Sequence, residues 1–396
     1  MADDAKAAAA VSPAPEAAPA AAPRPTPVPA PIPTPAAAES EAVPKSEPAP
    51  AAPATAAAEV ADILPASYWE QAPLHDVDEE VFDDGDSALG STISSTASLS
   101  DSILEYRTIH GRTYHSDIGK AEAWHPNDPQ QTESMDIHHH LCTLAQGGDL
   151  FLAPVPNDVQ KVVDIGTGTG IWAIDFADKY PGAEVIGTDV SPIQPTWIPP
   201  NLKFEIDDAN QEWTWPDNTF DYIHVRALFG SIADWDSFYR EAFRCTKPGG
   251  WFEDYENSIK LDSIDGSVTK DSPMGQWTKV FWEGGKKLGR TFKVVEDDIQ
   301  IKGMEAAGFV DLVVKEITIP FGSWPKNPRQ KEIGLFSKLT MESDLEGYVL
   351  YMWAAVMGWS IEEIQVYISH LRRQIKDPKT HACYRSRVVY GRKPGK

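Results

Sequence analysis

Cysteine is scarce: Cys142, Cys245 and Cys383 are the only three in 396 residues. An odd, widely spaced set builds no disulfide framework and has no zinc-ligand spacing, so the expectation is reduced thiols in a cytoplasmic or nuclear protein. Basic charge is also scarce. Fifty-nine acidic side chains face 35 basic ones, for a net charge of −24. Without a strongly basic patch there is little to neutralise phosphates, so direct nucleic-acid binding is not expected. Long hydrophobic runs are missing too. The richest stretch, around residues 348–359, is shorter than the ~20 residues a membrane span needs. The start MADDAKAAAA lacks the basic and apolar regions of a secretory signal. No membrane association is expected.

The first hundred residues hold alanine, proline and acid. Fifteen of the 33 prolines precede Ser67, and residues 1–100 carry sixteen acids against Lys6, Arg24 and Lys45. Proline removes backbone donors and alanine offers little surface to bury, so residues 1–100 are expected to be a disordered tail, partly polyproline-II in its first 65 residues. Tyr68-Trp69 and Val81-Phe82 are apolar islands in its acidic part. A solvated linker is the expectation there; docking on the folded body or on a partner is the alternative.

The rest is globular in composition. Residues 101–160 read as a mostly helical cap, notably 133–145, and 161–258 alternate strands and helices. Strands are expected at 161–165, 183–188, 202–206, 220–225 and 251–255, with helices at 171–179 and 235–244. That alternation implies a parallel sheet with crossover helices. A helical lid insertion at 259–308 and a C-terminal part at 309–396, with strands 309–319 and 384–390, complete the chain.

The strongest local signal is Val162-Val163-Asp164-Ile165-Gly166-Thr167-Gly168-Thr169-Gly170. An apolar strand ends in an acid, and glycine at every second position opens the next helix. Glycine serves where a backbone turns sharply and a ligand must approach with no Cβ in the way. A dinucleotide fingerprint, G-x-G-x-x-G, is met only in its looser form, from Gly168 through Gly170 to Ala173. No Gly-Lys-Ser/Thr follows, which rules out a P-loop. Asp164 beside the glycines would repel a pyrophosphate and welcome a cationic, zwitterionic cofactor, which favours S-adenosylmethionine over NAD. Asp189 ends the second strand, where a carboxylate accepts ribose hydroxyls. Asp207-Asp208-Ala209 ends the third, suited to an adenine amino group. Ligands of open α/β sheets bind at such strand ends.

From Asp164-x-Gly166-x-Gly168-x-Gly170 through Lys247-Pro248-Gly249-Gly250 the chain resembles the class I methyltransferases. It is more closely similar to the fungal LaeA-like methyltransferases, proteins associated with regulation of secondary metabolism. That resemblance rests on Gly111-Arg112-Thr113-Tyr114-His115, Pro126-Asn127-Asp128, Asp136-Ile137-His138-His139-His140, Leu150-Phe151-Leu152-Ala153-Pro154, Ile223-His224-Val225-Arg226 with Gly230-Ser231-Ile232, and Arg387 through Pro394. It covers roughly residues 103–394. It implies an α/β, Rossmann-like, seven-stranded sheet whose last strand is antiparallel, with 384–390 beside 309–319 and the helical cap closing over the cofactor. By position, Arg112 would pair with the methionine carboxylate and Tyr114 would pack against its chain. The cofactor set is then Arg112, Tyr114, Asp164, Gly166, Thr167, Gly168, Gly170, Asp189, Asp208 and Ala209.

Methyl transfer to a neutral leaving thioether needs mainly alignment, worth ~7–11 kcal/mol, and a base only if the nucleophile arrives protonated. His224, Arg226, Glu253, Asp254 and Glu256 end the fourth and fifth strands. His224, Arg226 and Glu256 are carried forward as catalytic candidates, with none singled out as base. His138-His139-His140 invites a metal reading, but adjacent helix positions diverge by about 100° and cannot converge on one ion, so no metal is expected. Aromatics such as Trp277, Phe281, Trp282, Tyr348, Tyr351, Trp353 and Trp359 are mostly core, a few of them suiting a lipophilic acceptor pocket. The function expected is S-adenosylmethionine-dependent methylation of a small metabolite or a protein. The alternative is a regulatory protein that keeps the fold and binds velvet-type partners; a NAD oxidoreductase comes third.

Overall fold

The structure, a computed structural model, describes residues 63–74, 106–116 and 123–395. Helix α1 (Ala66–Gln71) comes first. Strands β1 (Arg107–Ile109) and β2 (Arg112–Tyr114) then pair antiparallel. His110 and Gly111 between them have φ of 46° and 84°, the two positive values a tight two-residue hairpin turn demands. The segment expected to be cap helix thus opens with a hairpin, because this His-Gly pair reverses the chain at a point where helix would need negative φ. Helix α2 (Pro129–Ala145) follows, with Pro129 in its first turn and Asp128 accepting from Gln131 N–H at its start.

Strand and helix then alternate as β3 (Lys161–Ile165), α3 (Ile171–Lys179), β4 (Glu184–Asp189), β5 (Leu202–Ile206), β6 (Phe220–Arg226), α4 (Trp235–Cys245) and β7 (Thr246–Asn257). Next come a two-residue strand β8 (Asp262–Ser263), helices α5 (Pro273–Leu288) and α6 (Ile299–Ala307), and strand β9 (Val310–Pro320). Helices α7 (Pro328–Ser343) and α8 (Leu345–Leu350), a π-helical stretch Tyr351–Val356, helix α9 (Ile361–Lys376) and strand β10 (Ala382–Arg392) close the chain.

The sheet runs β5-β4-β3-β6-β7-β10, with β9 on the other side of β10. Strands β3 to β7 are mutually parallel; β10 is antiparallel to both β7 and β9. This is the expected seven-stranded arrangement, with the short β8 added along the start of β10. Val162 and Val163 are both fully buried because the sheet is covered on both faces. Val162, Val185 and Tyr222 pack on Trp172 and Phe176 of α3. Val163, Ile223 and Phe252 join the core of Phe238 and Tyr239 on α4. The strand order reverses direction between β3 and its neighbours β4 and β6, and there a crevice opens at the carboxyl ends of the strands.

Helix α1 lies inside the stretch expected to be linker. It is docked: Trp69 is 2% exposed and packs edge-on against Tyr367 of α9, with ring centroids 5.5 Å apart. A six-residue helix has too few internal hydrogen bonds to persist alone, so tertiary contact is what holds it. Val81-Phe82 and the Ala/Pro-rich residues before 63 lie outside the described residues.

Candidate functional site

The crevice is a cavity of about 280 Å³. Its floor is the turn after β3. Gly166 and Gly168 have φ of 68° and 58°, and a Cβ on Gly168 would overlap Met135 Cε of α2, as one on Gly166 would overlap the Leu228 side chain. Glycine at these points thus lets Met135 and Leu228, both on the cavity lining, close down on the turn. Asp189 secures the turn from the next strand: Gly168 N–H donates to Asp189 Oδ2 (2.8 Å) and Ser191 N–H to Oδ1 (2.9 Å). Burial raises the Asp189 carboxyl to about 6 despite those amides, with nearby Asp164 adding to the rise.

Asp164 is held on both oxygens. Thr167 donates its hydroxyl to Oδ2 at 2.6 Å, and His224 Nδ1 lies 2.7 Å from Oδ1. The His224 ring is stacked flat on the Trp172 indole, 3.7 Å between centroids and 2° between planes. Burial lowers the His224 pKa, and Asp164 opposes that shift. A neutral imidazole donating through Nδ1 carries its lone pair on Nε2. At β5, Asp208 Oδ1 accepts from the Asn210 backbone and side chain (3.0 and 3.2 Å), with Ala209 beside it on the wall. At the end of β6, Arg226 donates from Nη2 to His139 Nδ1 (3.1 Å), and His139 Nε2 lies 3.0 Å from Asp175 Oδ2.

Nine of the residues expected here line the cavity: Asp164, Gly166, Thr167, Gly168, Asp189, Asp208, Ala209, His224 and Arg226. Four do not. Gly170 (φ 82°) sits behind the wall at the start of α3, where a Cβ would run into the Phe204 ring. Arg112 is committed elsewhere. It grips Asp128 through Nη2 (2.8 Å) and Asp344 through Nη1 and Nη2 (2.8 and 2.7 Å), and these are the capping residues of α2 and α8. The guanidinium thus staples two helix starts and has no fork left for a cofactor carboxylate. Tyr114 is fully buried against Tyr351, 5.6 Å between centroids.

Glu256 is the fourth. Its two oxygens accept Leu228 N–H (2.7 Å) and Phe229 N–H (3.0 Å), and burial, then Asp254, raises its pKa. It positions the loop that follows β6, where Ala227 has a φ of 57°, and does not face the cavity. Glu256→Gln keeps the shape but loses one acceptor, leaving a buried amide unpaired at a cost of about 1–3 kcal/mol. The expected result is a lower unfolding midpoint in denaturant, with cofactor affinity per folded molecule nearly unchanged.

Sequence reasoning missed most of the roof. Trp124, His125 and Asn127 reach in ahead of α2, and Trp277, Phe321, Tyr348 and Tyr384 arrive from α5, the end of β9, α8 and β10. The Pro126-Asn127-Asp128 motif and the aromatics Trp277 and Tyr348 hinted at this without placing it, since residues so distant in sequence meet through tertiary packing alone. Burial, then His138, lowers His125 to about 4; burial, then Arg226, lowers His138 to about 3. Both rings are neutral. The three consecutive histidines diverge as helix geometry requires: His138 meets Asn257 (3.2 Å), His139 meets Asp175, and His140 packs on Phe336. Among the described residues, no helix is long and apolar enough to cross a membrane.

Residues 137–279 match the family described as Methyltransferase domain. Methyltransferase pytC of Aspergillus terreus is 36% identical over 304 residues, spanning 76% of this chain and 93% of its own. Secondary metabolism regulator LAE1 of Cochliobolus heterostrophus is 33% identical, over 72% of this chain and 94% of its own. The chain belongs to the LaeA-like methyltransferases. A further relative, protein-methionine methyltransferase laeA of Emericella nidulans, is 29% identical over 73% of this chain and 77% of its own. This LaeA-like protein is an S-adenosylmethionine-dependent methyltransferase. The cavity fits that cofactor: a turn with glycines at positive φ lies beneath it, carboxylates line one end for hydroxyl and amine donors, and a guanidinium stands at the other.

Proposed function

We propose that this LaeA-like protein methylates an acceptor bound beneath the aromatic roof, with the cofactor lying across the ends of β5, β4 and β3. The observation that carries this is the placement of Asp208, Asp189 and Asp164 at three adjacent strand ends around one glycine turn. In this reading Asp189 accepts the ribose hydroxyls, Asp208 and Ala209 face the adenine edge, and Asp164 faces the amino group. Gly166, Thr167 and Gly168 form the bed. Bound S-adenosylmethionine supplies an electrophilic methyl on a sulfonium whose leaving group is a neutral thioether.

The protein's part is alignment and exclusion of water. Trp124, Trp277 and Tyr348 roof the acceptor space with apolar surface, suited to an aromatic or lipophilic small molecule or to an apolar protein side chain such as methionine. Where the nucleophile arrives as a hydroxyl, His224 Nε2 takes its proton while Asp164 steadies the ring through Nδ1. A thioether acceptor, or an amine that arrives unprotonated, brings its own lone pair and needs no base. His224→Asn therefore distinguishes acceptor classes. A hydroxyl acceptor is expected to lose roughly 10²–10⁴ in kcat, whereas a thioether acceptor stays within about tenfold.

The test of the reading is incubation of the protein with radiolabelled S-adenosylmethionine and an extract of small molecules and proteins. Label transferred to an acceptor by the wild type and lost in Asp189→Asn supports it. Label that stays on the cofactor would favour the second reading, a regulator acting through a protein partner. That reading is encouraged by the name of the relative from Cochliobolus heterostrophus.

A further inference from the structure

Arg226 is in an unusual position for an arginine. Arg112, Arg244, Arg387 and Arg392 each lie on carboxylates. Arg226, half-buried at the mouth of β6, has no carboxylate within ion-pair distance among the described residues. Its partner is the lone pair of a neutral imidazole, His139 Nδ1. That lone pair exists because Nε2–H of the same ring donates to Asp175, which fixes the tautomer. A guanidinium withdrawn from water and paired only with a neutral group is electrostatically incomplete. Its field is felt around it: after burial itself, Arg226 weighs against protonation of His138, His139 and His224.

Among the described residues lining the cavity, Arg226 is the sole arginine or lysine, against four aspartates. Its place along the wall follows from the sheet order. The acids at β5 and β4 stand at one end, the glycine turn after β3 is in the middle, and Arg226 closes the other end on β6. A ligand whose adenosine lies toward β5 and β4 extends its amino-acid tail toward β3 and β6. That tail is a zwitterion, and Asp164 and Arg226 end the two neighbouring strands with opposite charges.

We infer that Arg226 binds the carboxylate of the cofactor's amino-acid moiety, the role expected from sequence for Arg112, and that Asp175 and His139 hold it in place. This rests on the cofactor reading above. It moves Arg226 from candidate catalyst to cofactor anchor and makes His139 a positioning residue.

Calorimetric titration of the full chain tests it with two probes. S-adenosylhomocysteine carries the amino-acid tail; 5′-methylthioadenosine keeps the adenosine and the thioether but lacks that tail. Arg226→Met is expected to weaken S-adenosylhomocysteine about tenfold or more, the range of a charge-assisted hydrogen bond, while 5′-methylthioadenosine stays within about twofold. Arg226→Lys should recover part of the loss, because the charge returns without the fork. His139→Leu should show the same selectivity at smaller size. Asp189→Asn serves as a contrast and should weaken both probes together. If Arg226→Met weakens both probes equally, or leaves S-adenosylhomocysteine unchanged, the anchor is disproved while the cofactor reading stands. If the wild type binds neither probe, both fall.

Discussion

Trp69→Ala is expected to lower the unfolding free energy by about 3–5 kcal/mol, the range for truncating a buried aromatic. The indole is 2% exposed and touches Tyr367 and His370, each 5.5 Å between ring centroids. The backbone around it is tied down as well. His370 Nε2 lies 2.8 Å from the Trp69 carbonyl, and the Gln276 side chain pairs with both Leu64 N–H and Leu64 C=O at 3.1 Å. The effect should reach the site. Tyr367 stacks on Trp353, which packs against Trp277 on the cavity wall. Chemical denaturation followed by tryptophan fluorescence checks the stability, and an unchanged midpoint would show that α1 does not dock.

Asp189→Asn is expected to weaken S-adenosylmethionine binding by roughly ten- to a hundredfold, since it removes charged acceptors. The neutral amide also leaves either Gly168 N–H or Ser191 N–H without its oxygen, so the glycine turn loosens with the site. The same carboxylate predicts a pH dependence. Burial holds it near 6 in the folded chain against an ordinary value of 3.8. Between about pH 4 and 6 the folded chain keeps a proton that the unfolded chain has released, so this residue's contribution to stability falls as pH rises through that window. Cofactor affinity runs the other way: ribose hydroxyls donate to the ionised form, so binding should strengthen from pH 5 to 7. Calorimetry at three pH values checks this, and a flat profile in the wild type would contradict the assignment.

Much of the cavity floor was legible because it is local. Glycine at every second position after an apolar strand marks a ligand-binding turn, and the acids Asp189 and Asp208 stand just where the neighbouring strands run out. Asp164, Asp189 and Asp208 could be placed by counting from strand ends. Arg112 and Glu256 could not. A motif says which residue type stands at a position, but not which of several carboxylates captures an arginine, or whether a glutamate turns toward a cavity or under a loop. Arg112 lost its expected role to Asp344, 232 residues away, and Glu256 was turned toward two backbone amides by the course of the loop after β6.

Composition and periodicity by themselves determined the α/β class, the parallel core and the glycine turn, because each depends on spacing within a few residues. Only the tertiary structure decided that His110-Gly111 makes a hairpin, that Trp69 is docked, and which residues roof the cavity. It also set, among the described residues, the single guanidinium on the cavity wall at β6 and paired it with a neutral imidazole in place of a carboxylate. Those outcomes depend on which side chains meet across long stretches of chain, where burial and competition among charges settle the result.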